Sequence, residues 1–189
     1  MMNQSDRVVR ESGLRSAVLA GNERAWQALY DDSYDALAAY VGWRCAGLPD
    51  FSEEIIQDTW LTAVRRIRAF DPERGNFVGW LRGIAANLVR NRLRQRRLPR
   101  DLGKNAENGR YSPAPDAALQ KKEEAEQLAR ALAELPEHYE SVLRAKYLDR
   151  AEVADIAEMR QQTPKSIESL LTRARQALRE AYERMEKQS

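Results

Sequence analysis

DFSEEIIQDTWLTAVRRIRAFDPERGNFVGWLRGIAANLVRNRLRQRR, residues 50–97, reads as two amphipathic helices, a turn between them and an arginine tail. Ser52 has the chemistry of a helix N-cap. Glu53, Glu54 and Asp58 follow where the partial positive charge of a helix start favours acids. Ile56, Trp60, Ala63, Val64 and Ile67 then form an expected inward stripe. The segment DPERGN, residues 71–76, is built of the residue types that suit tight loops. After it, Phe77, Trp80, Leu81, Ile84 and Leu88 recur at i, i+3, i+4, i+7 and i+11, which predicts a long helix beginning near Phe77. Its first half is core and its second half is charge: NLVRNRLRQRR, residues 87–97, holds five arginines and no acid.

That tail stands out because the whole chain is nearly neutral, with 31 Lys+Arg against 29 Asp+Glu in 189 residues. From Arg82 to Lys104 there are eight basic residues and one acid, Asp101, whereas Lys121–Glu140 carries three basic residues and six acids. Such asymmetry predicts a polyanionic partner for the first segment and solvent or protein for the second. One cysteine, Cys45, excludes an internal disulfide, and one histidine, His138, argues against a zinc site or a histidine-based triad. No cofactor, metal or catalytic residue is expected. No apolar run approaches the length of a membrane span, and the N-terminus MMNQSDRVVRESG lacks a signal peptide's apolar core, so a cytoplasmic protein without membrane insertion is expected.

Upstream, Trp26, Leu29, Tyr30, Leu37, Tyr40 and Val41 make one stripe on a helix ended by Gly47 and Pro49. Downstream, residues 98–118 lose all periodicity and hold three prolines, two glycines and two asparagines, the composition of a linker. Helix resumes near Ala118 and ends before Pro136, which is placed to be the first residue of the next helix. That helix's expected inward stripe is Tyr139, Val142, Leu143 and Tyr147. Two amphipathic pieces close the chain, one with Val153, Ile156 and Ala157, the other with Ile167, Leu170, Leu171, Ala174 and Leu178. Thr163 before Pro164 is an N-cap with proline at the first helical position. The reading is therefore all-α, two small helical domains joined by a flexible linker: an N-terminal extension over 1–21, a first domain over 22–97, a linker over 98–120 and a helix-turn-helix domain over 121–186.

Three surfaces are candidates for binding. The arginine tail is either a solvated helix end or a track for single-stranded nucleic acid, which needs cations for phosphates beside planar groups or base pockets. Asn87, Asn91 and Arg94 share one face of it; Trp80 lies on the apolar stripe and reads as core. On the preceding helix, Glu54, Asp58, Leu61 and Arg65 share a face that is either merely solvated or a protein contact. In the last helix, Lys165, Ser166, Glu168 and Ser169 lie where a recognition helix meets base edges, with later arginines on phosphates. A plain helical hairpin is the alternative.

The motifs QDTWL, DPERG, the run FVGWLRGIAAN and the arginine tail, in this order and spacing, resemble region 2 of the extracytoplasmic-function (group IV) sigma factors of the sigma-70 family. LAELPEHYESVLRAKYLDRAEVADIAEMRQQTPKSIESLLTRARQALRE is similar to region 4 of the same family, and the likeness covers about residues 22–184. The resemblance implies a promoter-specificity subunit rather than an enzyme. Glu54, Asp58, Thr59, Leu61 and Arg65 would meet the clamp helices of the β′ subunit of core RNA polymerase. Asp71, Arg74, Asn76, Phe77, Trp80, Asn87, Arg90, Asn91, Arg94 and Arg97 would read the minus-ten promoter element as a separated strand. Thr163, Lys165, Ser166, Glu168, Ser169, Arg173 and Arg175 would bind the minus-thirty-five element as duplex while the outer face of that domain meets the β flap. An anti-sigma factor, a kinase or expression alone would supply control. Three features depart from the family: position 91, often Asp, is Asn here, a modest change because both occur; the break MRQQT lacks the glycine often found there; and Glu168 and Leu170 occupy positions frequently basic in relatives. The competing function is a free-standing helix-turn-helix regulator.

Overall fold

The computed structural model describes residues 4–97 and 116–187. Among them the helices are α1 (Gln4–Leu19), α2 (Glu23–Arg44), α3 (Pro49–Arg66), α4 (Phe77–Arg97), α5 (Asp116–Glu134), α6 (Glu137–Tyr147), α7 (Val153–Arg160) and α8 (Pro164–Glu186), with a 3₁₀ turn at Ile67–Ala69 and no strand. The chain divides into two compact units. One holds the residues up to Trp43 together with Pro49–Val89; the other holds Arg44–Leu48 and the residues from Arg90 onward. Most of the expected linker, 98–115, lies outside the described residues, and Asp116–Gln120 already belong to α5.

In the first unit the core is Leu29, Leu37, Tyr40 and Val41 of α2, Phe51, Ile55 and Ala63 of α3, and Phe77, Leu81, Ala85 and Val89 of α4. Two expectations for α3 are corrected. It begins at Pro49, not Ser52, because proline suits the first turn of a helix, where its missing N–H costs nothing. Its buried stripe is Phe51, Ile55, Thr59 and Ala63, continued by Ile67 in the 3₁₀ turn; Ala63 and Ile67 are as expected, whereas the expected Ile56, Trp60 and Val64 lie one residue out of phase. Adjacent Ile55 and Ile56 permit either phase, and Thr59 can be buried because its hydroxyl donates to the Ile55 carbonyl at 2.7 Å. Val64, expected inside, is consequently 52% exposed.

The loop before α4 is locally specified. Asp71 closes a turn, its carboxylate accepting from Glu73 N at 3.1 Å and its carbonyl from Arg74 N at 3.1 Å. Asn76 caps α4, its Oδ1 accepting from Gly79 N at 2.6 Å. A Cβ at position 79 would lie 2.8 Å from that same oxygen, so glycine there makes room for the cap. Phe77 then enters an aromatic cluster, with ring centroids 5.1 Å from Phe70, 5.6 Å from Trp80 and 6.3 Å from both Trp26 and Trp60. Helix α1, unread in the sequence, packs beside the 3₁₀ turn.

In the second unit α5, α6 and α7 all pack on α8, burying Ala129, Leu132, Val142, Leu143, Ile156 and Ala157 with Ile167, Leu171, Ala174, Ala181 and Met185 of α8. Pro136 precedes α6 as its N-cap, not its first helical residue. Tyr147, expected inward, is 55% exposed and accepts a hydrogen bond from Arg175 Nε at 2.7 Å. Its phenol needs a polar partner, which the α8 surface provides and the core does not. Thr163 caps α8 as expected, accepting from Ser166 N at 3.2 Å ahead of Pro164. The missing glycine before it has a structural counterpart: Gln161 takes the left-handed conformation, φ 53°, and its N–H reaches the carbonyls of Ala157 and Glu158. No described helix is long and apolar enough to cross a membrane.

Candidate nucleic-acid and protein interfaces

Helix α4 has two faces. Every fourth residue from Phe77 to Leu93 (Phe77, Leu81, Ala85, Val89, Leu93) is buried, while Asn87, Arg90, Asn91 and Arg94 are exposed. The exposed four fall at i, i+3, i+4 and i+7, hence on one side. Four cations or amides within about two turns leave this side free of core duty and rich in donors for phosphates and bases. Asp71, Arg74 and Asn76 are exposed at the start of the same helix, Asn76 with its side-chain oxygen committed to the cap. Phe77 is 1% exposed, so it supports the surface from below and is removed from the contact set. Trp80 is half-buried between Phe70 and Phe77, as its place on the stripe predicted. Arg97 ends α4, but its side chain is outside the described residues.

On α3, Leu61 (54% exposed) and Arg65 are at the surface, and Glu54 and Asp58 are half-buried along the same side. Thr59 has no exposed area and its hydroxyl is used within the helix, so it cannot touch a partner. Val64 is an exposed apolar residue near Leu61, bordering a cavity of about 490 Å³ lined also by Val18, Trp26 and Ile67. Sequence reading missed it because the stripe was set one residue out of phase.

On α8, Lys165, Ser166, Glu168, Ser169, Arg173 and Arg175 are all exposed, as is the cap residue Thr163. From Lys165 the outward row continues through Glu168, Ser169, Thr172 and Arg173 to Gln176, so Thr172 and Gln176 share the side of α8 that carries the expected contact residues. Continuing the helical spacing two turns further along the sequence finds both. Arg175 sits at the edge of that row, its guanidinium 5.7 Å from the centre of the Tyr147 ring as well as bonded to its hydroxyl.

A family model for sigma-70 region 2 matches residues 29–98, and one for sigma-70 region 4 matches residues 125–178. Among curated proteins, the ECF RNA polymerase sigma factor BldN of Streptomyces coelicolor is 26% identical over 157 residues, 82% of this chain and 59% of BldN. The ECF RNA polymerase sigma factor SigW of Bacillus subtilis is 26% identical over 172 residues, 86% of this chain and 91% of SigW. The chain belongs to the extracytoplasmic-function branch of the sigma-70 family. Region 2 therefore spans α2, α3 and α4, and region 4 holds the helix-turn-helix of α7 and α8. A solved structure of the RsbN–BldN complex is 23% identical, covering 88% of this chain and 97% of that one, with a TM-score of 0.37.

Proposed function

We propose that this sigma factor binds core RNA polymerase in the cytoplasm, reads the two promoter elements and holds the separated strand while the polymerase performs the chemistry. The observation that carries the reading is the donor-rich side of α4, exposed on a helix whose other side is anchored in a core. Such a rigid row suits a single strand, whose phosphates and base edges are both accessible. Glu54, Asp58, Leu61 and Arg65, joined by Val64, are the proposed contact with the β′ clamp helices; the outer face of region 4 is proposed to meet the β flap. The outward row of α8 is the proposed duplex reader, its N-terminal residues on base edges and Arg173 on phosphate. Arg175 is proposed as a phosphate contact steadied by Tyr147.

A free-standing regulator would need only the helix-turn-helix, and region 2 occupies residues 29–98 of this chain. Titration of labelled chain with core polymerase, and with promoter duplex in the absence of core, tests the proposal. Tight core binding with weak duplex binding alone supports it; sequence-specific duplex binding without core, and none to core, overturns it.

A further inference from the structure

The loop Asp71–Asn76 is held at both ends by one helix outside it. Arg15 of α1 donates from Nη2 to the Arg68 carbonyl at 2.9 Å, just before the loop. Glu11, one turn earlier on α1, accepts from Phe77 N through Oε1 at 3.2 Å, just after the loop. These are contacts across 53 and 66 residues of sequence, made from one side of one helix by an i, i+4 pair. Glu11 is itself fixed: its Oε2 pairs with Arg7 at 2.8 Å, and Arg10 ties α1 to α2 through Asp32 at 2.6 Å. Between α1 and the start of α4 lies a cavity of about 280 Å³ bordered by Arg7, Arg10, Glu11, Ser33, Asn76 and Phe77. The same cavity is lined also by Leu14, Leu29 and Val78, so polar anchors and apolar side chains meet at the first turn of α4 on this side.

We propose that α1 is a clasp setting the geometry of the minus-ten reading loop, with Glu11 as its positioning residue. The inference rests on the proposed strand-reading role of that loop. Asn76 precedes the amide that Glu11 holds, and it caps α4, so the placement of Arg74, Asn76 and the helix start depends on the span between the two anchors. Releasing either anchor lets the loop sample other spans, which blurs base discrimination while leaving the α3 and α8 surfaces intact.

The test is selection from a duplex library, randomised across a promoter-length segment, by holoenzyme assembled from core polymerase and the full chain. The parent is expected to return an upstream and a downstream sequence block. Glu11→Ala should keep the upstream block and core affinity within twofold, while preference for the best base at the strongest downstream position falls at least threefold. Glu11→Gln, whose amide oxygen still accepts from Phe77 N, should retain at least half of that preference. Arg15→Ala attacks the other anchor and should also flatten the downstream block; it decides the matter should Glu11→Ala fail to fold. A downstream block unchanged in Glu11→Ala and Arg15→Ala overturns the clasp alone, as does an equal weakening of both blocks. A parent that returns no downstream block overturns the strand-reading role, and the clasp with it.

Discussion

Replacing Gln161 with glycine should stabilise the region 4 unit. Gln161 sits at φ 53° in the turn between α7 and α8, where an L side chain crowds the following carbonyl. Relief of that strain is worth about 1–2 kcal/mol. Against it stands the greater freedom of glycine in the unfolded chain, about 0.4–1 kcal/mol. The Gln161 side chain is exposed and the turn's hydrogen bonds are made by its backbone N–H, which glycine keeps. The net gain is therefore about 0.8 kcal/mol, a factor of about four in the opening equilibrium at RT of about 0.6 kcal/mol. Native-state hydrogen exchange at the Leu171 and Ala174 amides, buried in α8, reads this opening within the unit itself. Exchange about fourfold slower than in the parent is expected. Unchanged or faster exchange would show that the turn is not strained, and the argument that this chain tolerates a missing glycine at a cost would be wrong.

Leu61→Arg, at an exposed position on α3, should leave melting within roughly 0.5 kcal/mol of the parent while weakening core polymerase binding in a titration; equal affinity would remove this face from the interface. Arg94→Ala or Asn91→Ala should depress open-complex formation on duplex promoters and much less on a pre-melted bubble, and an equal loss on both would reduce these residues to phosphate contacts. If Glu168 accepts from a cytosine amino group, Glu168→Gln should change preference at one minus-thirty-five base pair, where a good contact gives roughly 1–3 kcal/mol of discrimination. A uniform rise in activity across a minus-thirty-five library would instead mean that Glu168 only repels phosphate.

The helix pattern was readable where apolar residues alternate with charge, as in α4 and α8, since burial follows a 3.6-residue period. Reading failed where neighbours compete. Ile55 beside Ile56 leaves the phase of α3 open; packing buries the Phe51–Ile55–Ala63 side, and Thr59 tolerates it because its hydroxyl bonds its own helix. Tyr147 matched an apolar stripe but carries a hydroxyl that finds Arg175. Among the expected contact residues, Thr59 and Phe77 share motifs with exposed ones, and pattern alone does not separate a supporting side chain from a touching one. Helix α1 buries none of its described residues fully and so offers no apolar stripe to read, and its bonds to the loop region pair residues more than 50 positions apart.

On the function proposed above, recognition by this chain works through the polymerase, and sequencing transcript 5′ ends made on genomic DNA by core polymerase with and without the chain tests it most directly. A set of new starts, present only when both are mixed and sharing two upstream sequence blocks, is the predicted result. Starts unchanged by adding the chain, alongside tight sequence-specific binding of the chain alone to duplex DNA, would contradict it.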